Sequence, residues 1–126
     1  MTHRRPRPPN GTAIAPDAPA GLTVRARPWA HGTVLALHGE LDLDSVVVLR
    51  HALDRALALP GTVVVIDCGD LAFCDSTGVS VLLETTTRAA GFGSRIELAR
   101  PRPLVRRVLE LTGATDAFAV HEAVPP

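Results

Sequence analysis

The stretch Thr62-Val63-Val64-Val65-Ile66-Asp67-Cys68-Gly69-Asp70-Leu71-Ala72-Phe73-Cys74-Asp75-Ser76-Thr77-Gly78-Val79 decides the class of fold. Its first five residues are all β-branched, the pattern of a central strand covered on both faces. Asp75-Ser76-Thr77-Gly78 then supplies the short polar residues that favour a helix start. Val79, Leu82, Leu83, Thr86 and Ala90 follow at helical spacing. A strand that passes through a cap into an amphipathic helix is half of a β-α-β unit, so an α/β sheet with packed helices is expected.

Upstream, Leu22, Val24 and Ala26 alternate with Thr23, Arg25 and Arg27, as in a half-buried strand. After a turn around residues 29–32, Val34 to Leu37 form a second strand ending at His38-Gly39, and an antiparallel hairpin joins the two. Glu40-Leu41-Asp42-Leu43-Asp44-Ser45 carries cap-forming residues ahead of Val46, Leu49, Leu53, Ala56 and Leu57, one apolar face of a helix that stops near Pro60-Gly61. Downstream, residues 91–93 close the second helix, and Arg95-Ile96-Glu97-Leu98-Ala99 alternates as a strand. A right-handed crossover places it beside the Val63 strand. Pro101 and Pro103 open a third helix with Leu104, Val105, Val108, Leu109 and Leu111 on its apolar side, and Gly113 ends it. Residues 117–120 suit a short last strand. The expected order is β-β-α-β-α-β-α-β, a mixed sheet with helices packed on it.

A chain of 126 residues fits one domain. Residues 1–20, with Pro6, Pro8, Pro9, Pro16 and Pro19, show no helical or strand period and read as a disordered Pro-rich tail; Pro6-Arg7-Pro8-Pro9 as a docking motif is the alternative. The domain then spans residues 21–126. Hydrophobic residues make up 46% and charged residues 21%, enough apolar side chains for a packed core. With three Phe, one Trp and no Tyr, base-stacking surfaces are not expected. Thirteen basic residues, all Arg, balance thirteen acidic ones, so no general attraction to nucleic acid or to an anionic membrane follows. No apolar run approaches a secretory or membrane-spanning segment, and a cytoplasmic location is expected.

Chemistry concentrates at the Asp75 turn. Ser76 stands at or beside the first turn of a helix, where unpaired backbone N–H groups and the positive end of the helix dipole favour a phosphate. Its hydroxyl can serve as the cap, and Gly78 leaves the turn open to another protein's active site. Asp75 has two readings, a cap that fixes the loop or a carboxylate that orients the Ser76 hydroxyl. The rest of the chain points elsewhere to little. His3, His31, His38, His51 and His121 are scattered, with no i, i+4 pair for a metal, and no Gly-x-Ser-x-Gly elbow, P-loop or dinucleotide fingerprint is present. The chain therefore reads as a non-enzyme without cofactor or metal. Cys68 and Cys74, six apart, match neither a redox pair nor a zinc spacing; Cys74 beside the turn as a redox centre is the lesser alternative.

Four segments in order, Gly39-Glu40-Leu41-Asp42, Val64-Val65-Ile66-Asp67, Phe73-Cys74-Asp75-Ser76-Thr77-Gly78-Val79 and Arg106-Arg107-Val108-Leu109-Glu110-Leu111-Thr112-Gly113, resemble the STAS domain of anti-sigma factor antagonists over residues 22–122. Cys74 departs from the large aliphatic residue common at that position. The resemblance implies a STAS-like fold and a phosphoprotein whose Ser76 accepts phosphate from an anti-sigma factor serine kinase. It implies partner binding by Asp42, Asp75, Ser76, Thr77 and Gly78, release of a sigma factor when unphosphorylated, and a phosphatase that resets the switch. The alternative within the family is a STAS scaffold or a small-ligand-sensing module of a signalling assembly.

Overall fold

A computed structural model describes residues 21–126; the Pro-rich segment and its Pro6-Arg7-Pro8-Pro9 motif lie outside the described residues. The elements are β1 (Leu22–Trp29), β2 (Gly32–Leu41), α1 (Val46–Ala56), β3 (Val63–Cys74), α2 (Ser76–Ala90), β4 (Arg95–Ala99), α3 (Pro103–Leu111), a single 3-10 turn (Thr115–Ala117) and β5 (Ala119–His121). They follow the expected order. The strands lie side by side in chain order, β1 antiparallel to β2 and the rest parallel, with β4 next to β3 as the crossover rule requires.

Chain-order strands with right-handed crossovers send every helix to the same face. Leu49 and Leu53 of α1, Val79, Val81 and Leu82 of α2, and Val105 and Leu109 of α3 accordingly share one core with Leu35, Leu37, Val64, Ile66, Ile96 and Leu98. The β3 run is buried on both faces, as expected, but helices cover only one of them. Val63 and Val65 point to the helix-free face, where Val34 and Ala99 complete a small cluster shielded by Trp29 and Val124. Beyond that cluster the face is polar. Asp67 holds Arg100 through two bonds of 2.9 and 3.0 Å, and Glu97 receives Arg95 at 2.7 Å and His121 at 2.9 Å.

Periodicity understated two strands. β2 continues past His38-Gly39 to Leu41, and β3 continues from Asp67 to Cys74, paired there with β2 alone. The register shifts twice along this extension, between Ala36 and His38 and between Gly39 and Glu40, and Gly39 has φ +109°. Bulges of this kind break the alternation that marks a strand in sequence. α3 buries Val105 and Leu109 but leaves Leu104 48% and Leu111 70% exposed. Seven residues apart, those two share a stripe about 100° round from Val105, so the apolar side of α3 is wider than the face it buries. The last strand starts at Ala119, because residues 115–117 take the 3-10 turn and Phe118 turns into the core.

Candidate functional site at the ends of the two central strands

β2 and β3 finish together, Leu41 opposite Cys74, and the Asp75 N–H closes the pair by donating to the Leu41 carbonyl at 3.1 Å. Asp75 is extended (φ −103°, ψ −177°) and acts as the N-cap of α2. One carboxylate oxygen, Oδ1, accepts from the Thr77 N–H at 2.9 Å and the Gly78 N–H at 3.2 Å. This satisfies two of the donors that a helix start leaves unpaired. The capping role given to the Ser76 hydroxyl is thus corrected: Asp75 holds the cap, while Ser76 occupies the first helical position, exposed to solvent.

Gly78 also has a different role from the one its sequence suggested. It is buried, and a Cβ there would stand 2.6 Å from Leu41 Cγ, 2.7 Å from Leu41 Cδ2 and 3.2 Å from Cys74 Sγ. The missing side chain lets α2 close onto the strand ends; it does not open a path to Ser76, and a buried residue offers no surface to a partner. Cys74 lies beneath the same turn. Burial, and then the Asp75 carboxylate, push its thiol up to about 12, so the reactive thiolate is scarce at neutral pH.

Asp42 begins the neighbouring turn, so the structure brings Asp42, Asp75, Ser76 and the half-buried Thr77 to one end of the sheet. Asp42 Oδ1 accepts from the Asp44 N–H at 3.1 Å and the Ser45 N–H at 3.0 Å, which makes it the organiser of the β2–α1 turn. Ser45, singled out only as a cap former, is fully buried; its hydroxyl donates to the Glu40 carbonyl at 2.8 Å and accepts from the Asp42 N–H at 3.0 Å.

The sequence reading missed the apolar flank of this end. Leu43 is 72% and Val47 55% exposed. α1 and α2 run side by side with a constant offset, Arg50 pairing with Glu84 at 3.3 Å and Asp54 with Arg88 at 3.8 Å. Extending that offset sets Val47 level with Val81, while Leu43 lies in the turn that leads into α1. The only signal in the sequence was Leu43 inside a polar, cap-rich turn, followed by Val47 in the run of three valines that opens α1.

A second concavity, about 520 Å³, opens on the helix-free face. Ala36, short between Val34 and His38, makes its floor, with Arg25 and Arg27 on one wall and Asp67 and Asp70 on the other. Among the described residues no cluster of three or more His, Cys, Asp or Glu could hold a metal, and no helix is long and apolar enough to cross a membrane.

A family model described as "Mlab, STAS domain" matches residues 25–121. The chain is 27% identical over 112 residues to the anti-sigma-F factor antagonist RsfB of Mycobacterium tuberculosis, covering 86% of this chain and 91% of that protein. It is 33% identical over 82 residues to the anti-sigma F factor antagonist of Lysinibacillus sphaericus, covering 64% of this chain and 69% of the other. The crystal structure of an anti-sigma factor antagonist from Mycobacterium paratuberculosis superposes with a TM-score of 0.74 at 23% identity, over 85% of this chain and 91% of that one.

Proposed function

Since the chain belongs to the STAS-domain family of anti-sigma factor antagonists, we propose that it is a cytoplasmic binding protein switched by phosphorylation of Ser76. Unphosphorylated, the surface around Ser76, Asp75, Thr77 and Asp42 docks on an anti-sigma factor serine kinase, and the sigma factor held by that kinase is freed. The observation that carries this reading is the position of Ser76: exposed at the first turn of α2, with capping delegated to Asp75. A hydroxyl with no capping duty can be modified without being pulled out of the fold.

In the transfer step the Ser76 Oγ attacks the terminal phosphorus of ATP held by the kinase. The new Oγ–P bond forms as the bond from that phosphorus to the bridging oxygen breaks, ADP leaves with the electron pair, and the hydroxyl proton passes to a base of the kinase. The product carries about −1.5 to −2 charges and three strong acceptors. A docked partner surface must then desolvate a dianion beside Asp75. An affinity loss of about 2.8 kcal/mol weakens binding roughly a hundredfold, enough for a switch. A phosphatase restores the binding form.

The test is incubation with candidate anti-sigma kinases and ATP, followed by mapping of phosphate by mass spectrometry. Transfer to Ser76, with loss of kinase binding, is the expected result; transfer to Thr77 alone would overturn the assignment. The groove on the helix-free face favours a second reading, a STAS module that senses a small ligand. Its size lies in the range of small-molecule sites. Under that reading a ligand shifts the amide resonances of Thr23, Ala36 and Asp67, and no kinase modifies Ser76.

A further inference from the structure

We infer that Asp75 is the internal sensor of the Ser76 phosphate: the two anions compete for the Thr77 and Gly78 N–H groups, so that phosphorylation loosens the cap of α2. This rests on the reading of Ser76 as the phosphoacceptor. A phosphate at a helix start is ordinarily stabilising, because it finds free N–H donors and the positive end of the dipole. Here the next three donors of the helix start are in use, which leaves only the N–H of Ser76 itself. Asp75 Oδ1 holds the Thr77 and Gly78 N–H groups, and the Val79 N–H already donates to the Asp75 carbonyl at 3.3 Å.

Nor, among the described residues, do this turn and its neighbours supply a free cation. The sequence from Ala56 to Thr87 contains no Arg, Lys or His, and the adjoining β2–α1 turn contributes Asp42 and Asp44. Arg50, on the neighbouring helix, is engaged with Glu84 further along the α1–α2 pair. A phosphate on Ser76 therefore either displaces the Asp75 carboxylate from its two donors or stands against it with no more than its own residue's N–H as a partner. Both outcomes weaken the same two hydrogen bonds. Asp75 is also the residue whose N–H ties α2 to the end of β2. The loosening thus reaches the Leu41–Asp42 corner, and the partner meets an altered surface as well as a new charge.

Phosphoserine installed at position 76 during translation tests this without any kinase. Amide hydrogen exchange at Thr77 and Gly78 is expected to run about two- to fivefold faster in the phosphorylated protein than in the unphosphorylated one, the scale of a charge at a helix end. In Asp75→Asn, which keeps an oxygen to accept both N–H groups but removes the charge, phosphate should leave exchange unchanged or slow it. Unchanged or slower exchange on phosphorylation of the wild-type protein would overturn the inference, as would an equal acceleration in Asp75→Asn. Failure of every kinase to modify Ser76 would instead count against the phosphoacceptor reading and leave this measurement intact.

Discussion

The turns that lead from β2 into α1 and from β3 into α2 are built from the same two residue types and end with their serines in opposite places. In each, an Asp at the end of a strand folds its carboxylate back over N–H groups further along: Asp42 over Asp44 and Ser45, Asp75 over Thr77 and Gly78. Ser45, three residues after its Asp, is drawn inward and locked between the Glu40 carbonyl and the Asp42 N–H. Ser76, immediately after its Asp, is left facing solvent. One turn uses its hydroxyl to hold the fold; the other leaves it in solvent. Spacing from the capping Asp, rather than the presence of an Asp and a Ser, separates a structural serine from an available one.

The largest expected effect is all or none. Ser76→Ala should abolish phosphate transfer, while Ser45→Ala should remain a substrate. Because Ser45 is buried, its loss should cost about 1–3 kcal/mol in denaturant unfolding, whereas Ser76→Ala should cost far less. Phosphate found on Ser45 in the native protein would break the contrast outright. Next is the closeness with which helix meets strand in the second turn. Gly78→Ala drives a methyl group into Leu41 and should cost about 1–3 kcal/mol, read as a lower denaturation midpoint at unchanged slope. Asp75→Ala and Asp42→Ala should each cost about 0.5–2 kcal/mol as lost caps. If only one of them destabilises, the two turns are less alike than their hydrogen bonds indicate.

The effect that is smallest at neutral pH, where it vanishes, concerns the thiols in and behind the second turn. Burial raises Cys68 and Cys74 from 9.0 to about 12, aided by Cys74 and Asp67 at the first and by Asp75 at the second. The folded state therefore keeps the protons that the unfolded chain begins to lose near pH 9. These thiols leave stability unchanged below pH 9 and lower it as pH rises from about 9 towards 12. Urea titrations at pH 8 and pH 10 check the direction. Iodoacetamide at neutral pH should label neither thiol until the protein unfolds; prompt labelling of Cys74 would restore a redox reading of this turn.

The order of elements, the hairpin, and the Asp75 cap with Ser76 beside it were legible in the sequence. Each is written in a local pattern: alternation at residues 22–27, helical spacing from Val79, and a strand, cap and helix in succession at residues 62–79. Where the pattern was interrupted, the reading fell short. The bulged ends of β2 and β3 look like loops, because a shift of register abolishes the alternation that identifies a strand. The exposure of Leu104 and Leu111 is equally unreadable from an apolar helix stripe without knowing which arc the sheet covers.

What the sequence by itself determined is therefore the succession of elements, the polar start of α2 and the family likeness that points to Ser76. Tertiary structure alone decided that all three helices cover one face, that Ser45 is sealed while Ser76 is free, and that Gly78 exists to admit Leu41. The physical reason is separation along the chain. Gly78 meets Leu41, 37 positions earlier on another strand, and Asp67 finds its partner Arg100 33 positions away. Local sequence fixes backbone preference and periodicity, whereas burial and close contact belong to segments that only the folded sheet brings together.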